Sequence, residues 1–288
     1  MAGIAFGAET HDPDIVFIHA TGFNALTYRT LLAPLGEKLH VVAIDARGHG
    51  RTDLPARTWG YTSWARHRDD VIALLERHFT GPVTLAGHSM GATVSILVAG
   101  RRPDLVSSLA LLEPVIVSAS LHALMQMPGG PAWNRLLAPI ARGAARRRNQ
   151  FESREAAVEA FSGRGVFKAF PPEALADYVE DGLAQDGRGG FKLACAPAFE
   201  AATFSAHRHD TWGALRRAHC PVVMLRAEHG ATSSLASMHR IAALKPEARI
   251  ATVEGASHML PLERPDRARA AIEAAALMGR RSWREDVE

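Results

Sequence analysis

The stretch that decides the fold reads Leu85-Ala86-Gly87-His88-Ser89-Met90-Gly91-Ala92. A compact apolar run, Pro82-Val83-Thr84-Leu85-Ala86, leads into it, and small apolar residues continue from Gly91 to Ala99. Gly-x-Ser-x-Gly alone is a weak signal, so the flanking strand and helix patterns give it meaning. Between strand and helix the serine must occupy a tight, strained turn, and bulky side chains two residues away are not tolerated. Its hydroxyl then projects at the carboxyl end of a sheet, over a helix N-terminus that favours developing negative charge. Ser89 is read as a nucleophile, against the plainer reading of a serine in a surface turn.

Working outward, five further apolar runs recur: Asp14–His19, His40–Asp45, Leu109–Leu112, Pro221–Leu225 and Ala248–Val253. Their apolarity is continuous rather than alternating, which fits strands covered on both faces. Helix-length segments lie between them. Ser63 to Phe79 carries an apolar stripe near a 3.6-residue period, with Ser63 as N-cap, and Asp266 to Met278 is Ala-rich behind Pro265. The alternation predicts an α/β chain with a mostly parallel central sheet flanked by helices.

One segment breaks the rhythm. Between about Val117 and Asp210 no strand is predicted, and helix-like stretches are separated by Pro128-Gly129-Gly130-Pro131, Pro171-Pro172 and Gly187-Arg188-Gly189-Gly190. Phe151, Phe161, Phe167, Phe170, Phe191, Phe199 and Phe204 all fall here. The segment is expected to be a helical layer with its own Phe core, and such a layer can also serve as an apolar lid.

A serine nucleophile needs a base, and a tetrahedral intermediate needs donors for its oxyanion. His258 lies in Val253-Glu254-Gly255-Ala256-Ser257-His258, after the last β-run and before the final helix, and is read as the base. The backbone amide of Met90 is one expected oxyanion donor. The second should come from the loop His19-Ala20-Thr21-Gly22-Phe23-Asn24, with Thr21 preferred and Phe23 the alternative.

Composition bounds the rest. The chain has 288 residues, 47% apolar and 22% charged, with 33 Lys+Arg against 30 Asp+Glu for a formal charge of +3. So small an excess gives no strong field for nucleic acid. Arg146-Arg147-Arg148, with Arg142 nearby, is read as a solvated helix face. No apolar stretch reaches the roughly 18 residues of a membrane span, and the N-terminus is unlike a signal peptide. A cytoplasmic location is expected, with Cys195 and Cys220 as free thiols, or less readily a disulfide. No metal-ligand spacing is present; His207-Arg208-His209-Asp210 is read as a linker. No cofactor and no metal are expected.

These residues together resemble the α/β-hydrolase superfamily, within its capped group of esterases, epoxide hydrolases, dehalogenases and carbon–carbon bond hydrolases. The resemblance covers about residues 14–116 and 218–275. It is carried by Phe17-Ile18-His19 with its Gly22-Phe23 loop, Asp45-Ala46-Arg47-Gly48-His49-Gly50, the Ser89 elbow and Gly255-Ala256-Ser257-His258. It implies an α/β-hydrolase core over 1–116 and 211–288, with a helical cap at 117–210. It also implies a carboxylate behind His258. The family's usual aspartate position, two residues past Glu228, is Gly230. Glu113, at the end of the preceding core strand, is the preferred acid on strand register, and Glu228 the alternative. Asp45, Arg47 and His49 are read as structural, and His88 as a packing neighbour of the elbow. The usual His-Gly pair of the oxyanion loop reads His19-Ala20 here.

Ser rather than Asp at the elbow argues against epoxide hydrolysis and dehalogenation, which in these relatives proceed through an aspartyl ester. Hydrolysis of a small, fairly apolar carboxylic ester is the leading expectation. A cofactor-free carbon–carbon hydrolase or lactonase, an acyltransferase, and a ligand-sensing protein without turnover are the alternatives. The expected partner is a small molecule, with no nucleic acid or membrane; oligomeric state is left open.

Overall fold

Both faces of the central sheet are covered because its strands alternate side chains between two separate cores. In the computed structural model, which describes residues 1–130, 133–134 and 138–287, the strands are β1 (Gly3–Phe6), β2 (Ile15–Ile18), β3 (Val41–Ile44), β4 (Val83–His88) and β5 (Val106–Leu112). A second group comprises β6 (Gln150–Phe151), β7 (Leu183–Gln185) and β8 (Phe191–Leu193), followed by β9 (Val222–Ala227) and β10 (Arg249–Val253). The main sheet has the order β1-β3-β2-β4-β5-β9-β10, parallel except for β1. Ile15 and Phe17 face one core with Ala86 and Leu112, whereas Val16 and Ile18 face the other with Leu85 and Leu111. Six strands coincide with the apolar runs. The edge strand β1, four residues long and half exposed, has no such run to announce it.

The helices divide accordingly. Met90–Arg101 is buried from Met90 to Gly100, and packs against Ala65–His78 and Thr211–Arg217. Pro265–Val287 covers β5 and β9 from the opposite face. The expected helix at Ser63 begins at Ala65, with the Ser63 hydroxyl accepting from the Ala65 amide at 3.1 Å. Among the described residues no helix is long and apolar enough to cross a membrane.

Between β5 and β9 the chain forms helices Ala119–Gln126, Pro139–Ala145, Arg154–Phe161, Pro172–Gly182 and Pro197–Ser205. The expectation that no strand occurs here is corrected: β6, β8 and β7 form a small antiparallel sheet in that order. Strands of two or three residues are too short to show a period. The Gly187-Arg188-Gly189-Gly190 break is the turn of this hairpin, closed by Asp186, whose Oδ1 accepts from the amides of Arg188 and Gly190. Phe151, Phe161, Phe167 and Phe170 do gather, around Tyr178. Among the contacts that tie the segment to the core, Asn24 Nδ2 donates to the Tyr178 carbonyl at 2.9 Å, Arg29 pairs with Asp177, Arg51 pairs with Asp181, and Trp64 Nε1 donates to the Thr203 carbonyl at 3.0 Å.

Candidate active site

Ser89 sits where β4 passes into its helix, with φ 54° and ψ −114°, a conformation an L-residue adopts only under constraint. Gly91 is what permits it, since a Cβ there would run into the Ile18 carbonyl of the neighbouring strand. One residue past the adjacent strand, Glu113 also has a positive φ, 52°. Among the described non-glycine residues these are the two positive-φ positions, and they stand side by side at the carboxyl edge of the sheet.

Their side chains converge on His258. Its Nδ1 lies 3.0 Å from Glu113 Oε2 and its Nε2 lies 3.0 Å from Ser89 Oγ. With Nδ1 donating to the carboxylate, Nε2 is left as acceptor for the serine proton. The Glu113 carboxylate is fully buried and well held: Oε1 accepts from the Ala227 amide at 2.6 Å, and Oε2 from the Thr232 amide at 3.0 Å. Glu228 is elsewhere. It accepts from the Gly255 amide, its side chain is half exposed, and its nearest histidine is His229 at 3.5 Å. Gly230, where the family resemblance implied an aspartate, lines the same cavity as His258 with φ +61° and open space beside its Cα.

The loop after β2 is organised by its own amides. Ala20 N–H donates to Tyr28 Oη, Gly22 N–H to His49 Nε2 at 2.9 Å, and Phe23 N–H to the Ala20 carbonyl at 3.1 Å. The Phe23 amide is therefore engaged inside the loop and is not the free donor that the alternative required. Thr21 lines the cavity beside Ser89. His49, read from sequence as holding its own turn, also reaches back 27 residues to fix this loop. Burial holds its pKa at about 3 and that of His19 at about 4, so both rings are neutral and can accept.

His88 does more than pack. Its Nε2 lies 2.8 Å from the His258 carbonyl, so that nitrogen carries the proton and Nδ1 accepts from Tyr28 Oη at 2.7 Å. Burial, with the nearby His258, pushes its pKa well down and keeps the ring neutral. A line of hydrogen bonds thus runs from Ala20 through Tyr28 and His88 to the His258 backbone.

Two lobes of cavity meet at Ser89 and His258. One, of about 750 Å³, is lined by Trp64, Val115, His207, Thr232 and Lys168 among others. The other, of about 490 Å³, lies under Phe161, Phe167, Phe204, Ile140 and Val166, with Arg147 and Glu200 in its wall. The solvated-face reading holds for the exposed Arg146 and Arg148 and is corrected for Arg147. Arg147 turns inward onto Glu200 and Tyr178, contacts 53 and 31 residues distant that local sequence does not reveal. The His207–Asp210 run behaves as a connector: Arg208 caps the helix ending at Gln126, and Asp210 caps the helix that follows it. Among the described residues no cluster could hold a metal ion, and both cysteines are free.

A family model described as the alpha/beta hydrolase family matches residues 15–271. The chain belongs to this family. Among its relatives, the 2-(acetamidomethylene)succinate hydrolase of Mesorhizobium japonicum is 29% identical over 248 residues, 85% of this chain and 81% of that one. A crystal structure of E-2-(acetamidomethylene)succinate hydrolase matches this hydrolase with a TM-score of 0.76 at 27% identity, covering 95% and 93% of the two chains. An esterase of Mycobacterium tuberculosis is 31% identical over 111 residues, 38% of this hydrolase and 36% of the esterase.

Proposed function

We propose that this hydrolase works through a covalent acyl-enzyme on Ser89, with His258 as general base and Glu113 as the carboxylate that orients it. The observation that carries the reading is the unbroken line Ser89–His258–Glu113, with both links at 3.0 Å. Ser89 Oγ attacks the acyl carbon as His258 Nε2 takes its proton. The same imidazolium then protonates the leaving group, and a water repeats the sequence to free the acid. The amides of Met90 and Thr21 receive the oxyanion; the neighbouring amides of Gly22 and Phe23 have partners of their own. Residues 117–210 act as a cap over the two lobes.

The substrate we favour is a small, fairly apolar carboxylic ester, supported by the aromatic and aliphatic walls of both lobes. A second reading has the bond cleaved in an amidomethylene dicarboxylate, which the likeness to the Mesorhizobium enzyme favours and the cavity-lining Lys168 and Arg164 would suit. A fluorophosphonate probe should label the wild type at Ser89 and leave Ser89→Ala unmodified. A panel of short aryl esters, lactones and 2-(acetamidomethylene)succinate then separates the readings. Failure of the probe to label a folded wild type would sink the acyl-enzyme, and turnover of the succinate with none of the esters would replace the first substrate with the second.

A further inference from the structure

The wall of the smaller lobe contains a closed ion pair. Arg147 Nη1 donates to both carboxylate oxygens of Glu200 at 2.8 Å, and Nη2 donates to Tyr178 Oη at 2.7 Å. Glu200 is 5% exposed, and the Arg147 side chain is mostly covered. The guanidinium also lies 5.6 and 5.9 Å from the ring centroids of Phe161 and Phe167. Glu200 is wedged against the loop after β2, where a Cβ on Gly22 would collide with it.

This placement has a consequence for what the lobe accepts. A guanidinium among aromatic rings beside a reactive serine is a ready site for a substrate carboxylate. Here its charge is already matched, two-pronged, by a residue of the protein. A second carboxylate entering the lobe would lose its water and meet a pair whose charges already cancel, a cost that no other buried cation among the described lining residues offsets. Arg164 lines the same lobe, but its side chain is exposed and water screens it.

We propose that Glu200 sets the charge selectivity of the site: by neutralising Arg147 it makes the smaller lobe accept an uncharged acyl chain and refuse one that ends in a carboxylate. The inference rests on the acyl-enzyme reading and narrows its substrate class.

The test uses two aryl esters with six-carbon acyl chains, 4-nitrophenyl hexanoate and 4-nitrophenyl hydrogen adipate, which differ at the chain end by a carboxylate. The purified full chain should favour hexanoate in kcat/KM by about a hundredfold or more. Glu200→Gln, which leaves Arg147 uncompensated, should cut that preference by about tenfold or more, chiefly through KM for the adipate. Arg147→Met with Glu200→Gln removes both charges and should restore the preference for hexanoate. Equal use of the two esters by the wild type overturns the proposal without any variant. So does a preference that Glu200→Gln leaves unchanged in a folded protein. Should Glu200→Gln fail to fold, the wild-type ratio and the double variant decide: loss of the preference in the double variant would mean that an uncharged lobe admits the anion, and neutralisation of Arg147 would not be the means of refusal. Fluorophosphonate labelling of each protein keeps the two levels apart, because an unlabelled wild type refutes the acyl-enzyme, whereas a labelled enzyme indifferent to charge refutes only the role of Glu200.

Discussion

Glu113 reaches His258 from the end of β5, 145 residues away in sequence, with Oε2 3.0 Å from the imidazole Nδ1. The other carboxylate oxygen is held by the Ala227 amide at the end of β9, so the side chain spans two neighbouring strands before it meets the imidazole. A glutamate, one methylene longer than aspartate, makes that span from a strand end while position 230 carries no side chain.

Glu113→Gln should lower kcat by about two to four orders of magnitude, because an amide facing Nδ1 removes the charge that steadies the imidazolium and disturbs the tautomer. Glu228→Gln should stay within about threefold of wild type, since an exposed carboxylate away from the base contributes little. Steady-state kinetics on both folded variants checks this, and the reverse ranking would move the acid to Glu228.

His49→Ala should release the Gly22 amide and loosen the loop that carries Thr21. We expect kcat to fall by about ten- to a hundredfold with KM changed far less, the pattern of an interaction made chiefly in the transition state. An unchanged kcat would mean that the loop is fixed without His49.

Tyr28→Phe strands two buried groups, the Ala20 amide and His88 Nδ1. Leaving such groups unpaired costs about 1–3 kcal/mol each, so the melting temperature should drop clearly. A thermal melt within a degree or so of wild type would show that water or relaxation repairs the gap.

Acid should destabilise the fold before its carboxylates titrate. His19 has a pKa of about 4 in the folded chain against 6.5 for an ordinary histidine, because burial disfavours the cation. Its contribution is fully present above pH 6.5 and is lost as the pH falls towards 4, amounting to roughly 3 kcal/mol. His49, His67 and His88 shift in the same direction and steepen the loss. Asp45 and Glu200, raised by burial, oppose it at the lower end. Denaturant unfolding between pH 7 and 5.5 should show stability falling, with a shallower slope in His19→Asn; a flat profile would mean these rings are not neutral in the fold.

Much of the fold is legible in the sequence. Six strands announced themselves because a sheet covered on both faces writes continuous apolar runs, and β1 did not because it is a short, half-exposed edge. Ser89 and His258 were legible because each lies at a fixed place relative to a strand end, and Glu113 followed from strand register. What local sequence cannot show is reach. The His49–Gly22 bond spans 27 residues and the Arg147–Glu200 pair 53, and neither leaves a pattern in the residues around it. Arg147 looked solvated because the arginines on either side of it are compatible with water.

The two left-handed residues, Ser89 and Glu113, set the welfare of the fold against that of its chemistry. Each costs of order 1–3 kcal/mol that a glycine would not incur in backbone strain. Ser89→Gly should therefore melt above the wild type while carrying no nucleophile, and calorimetry beside an activity assay would show the two properties moving apart. For this chain, survival in a heat-challenge screen is the wrong proxy for a working enzyme. Selected for endurance alone, it would gain by giving up the serine.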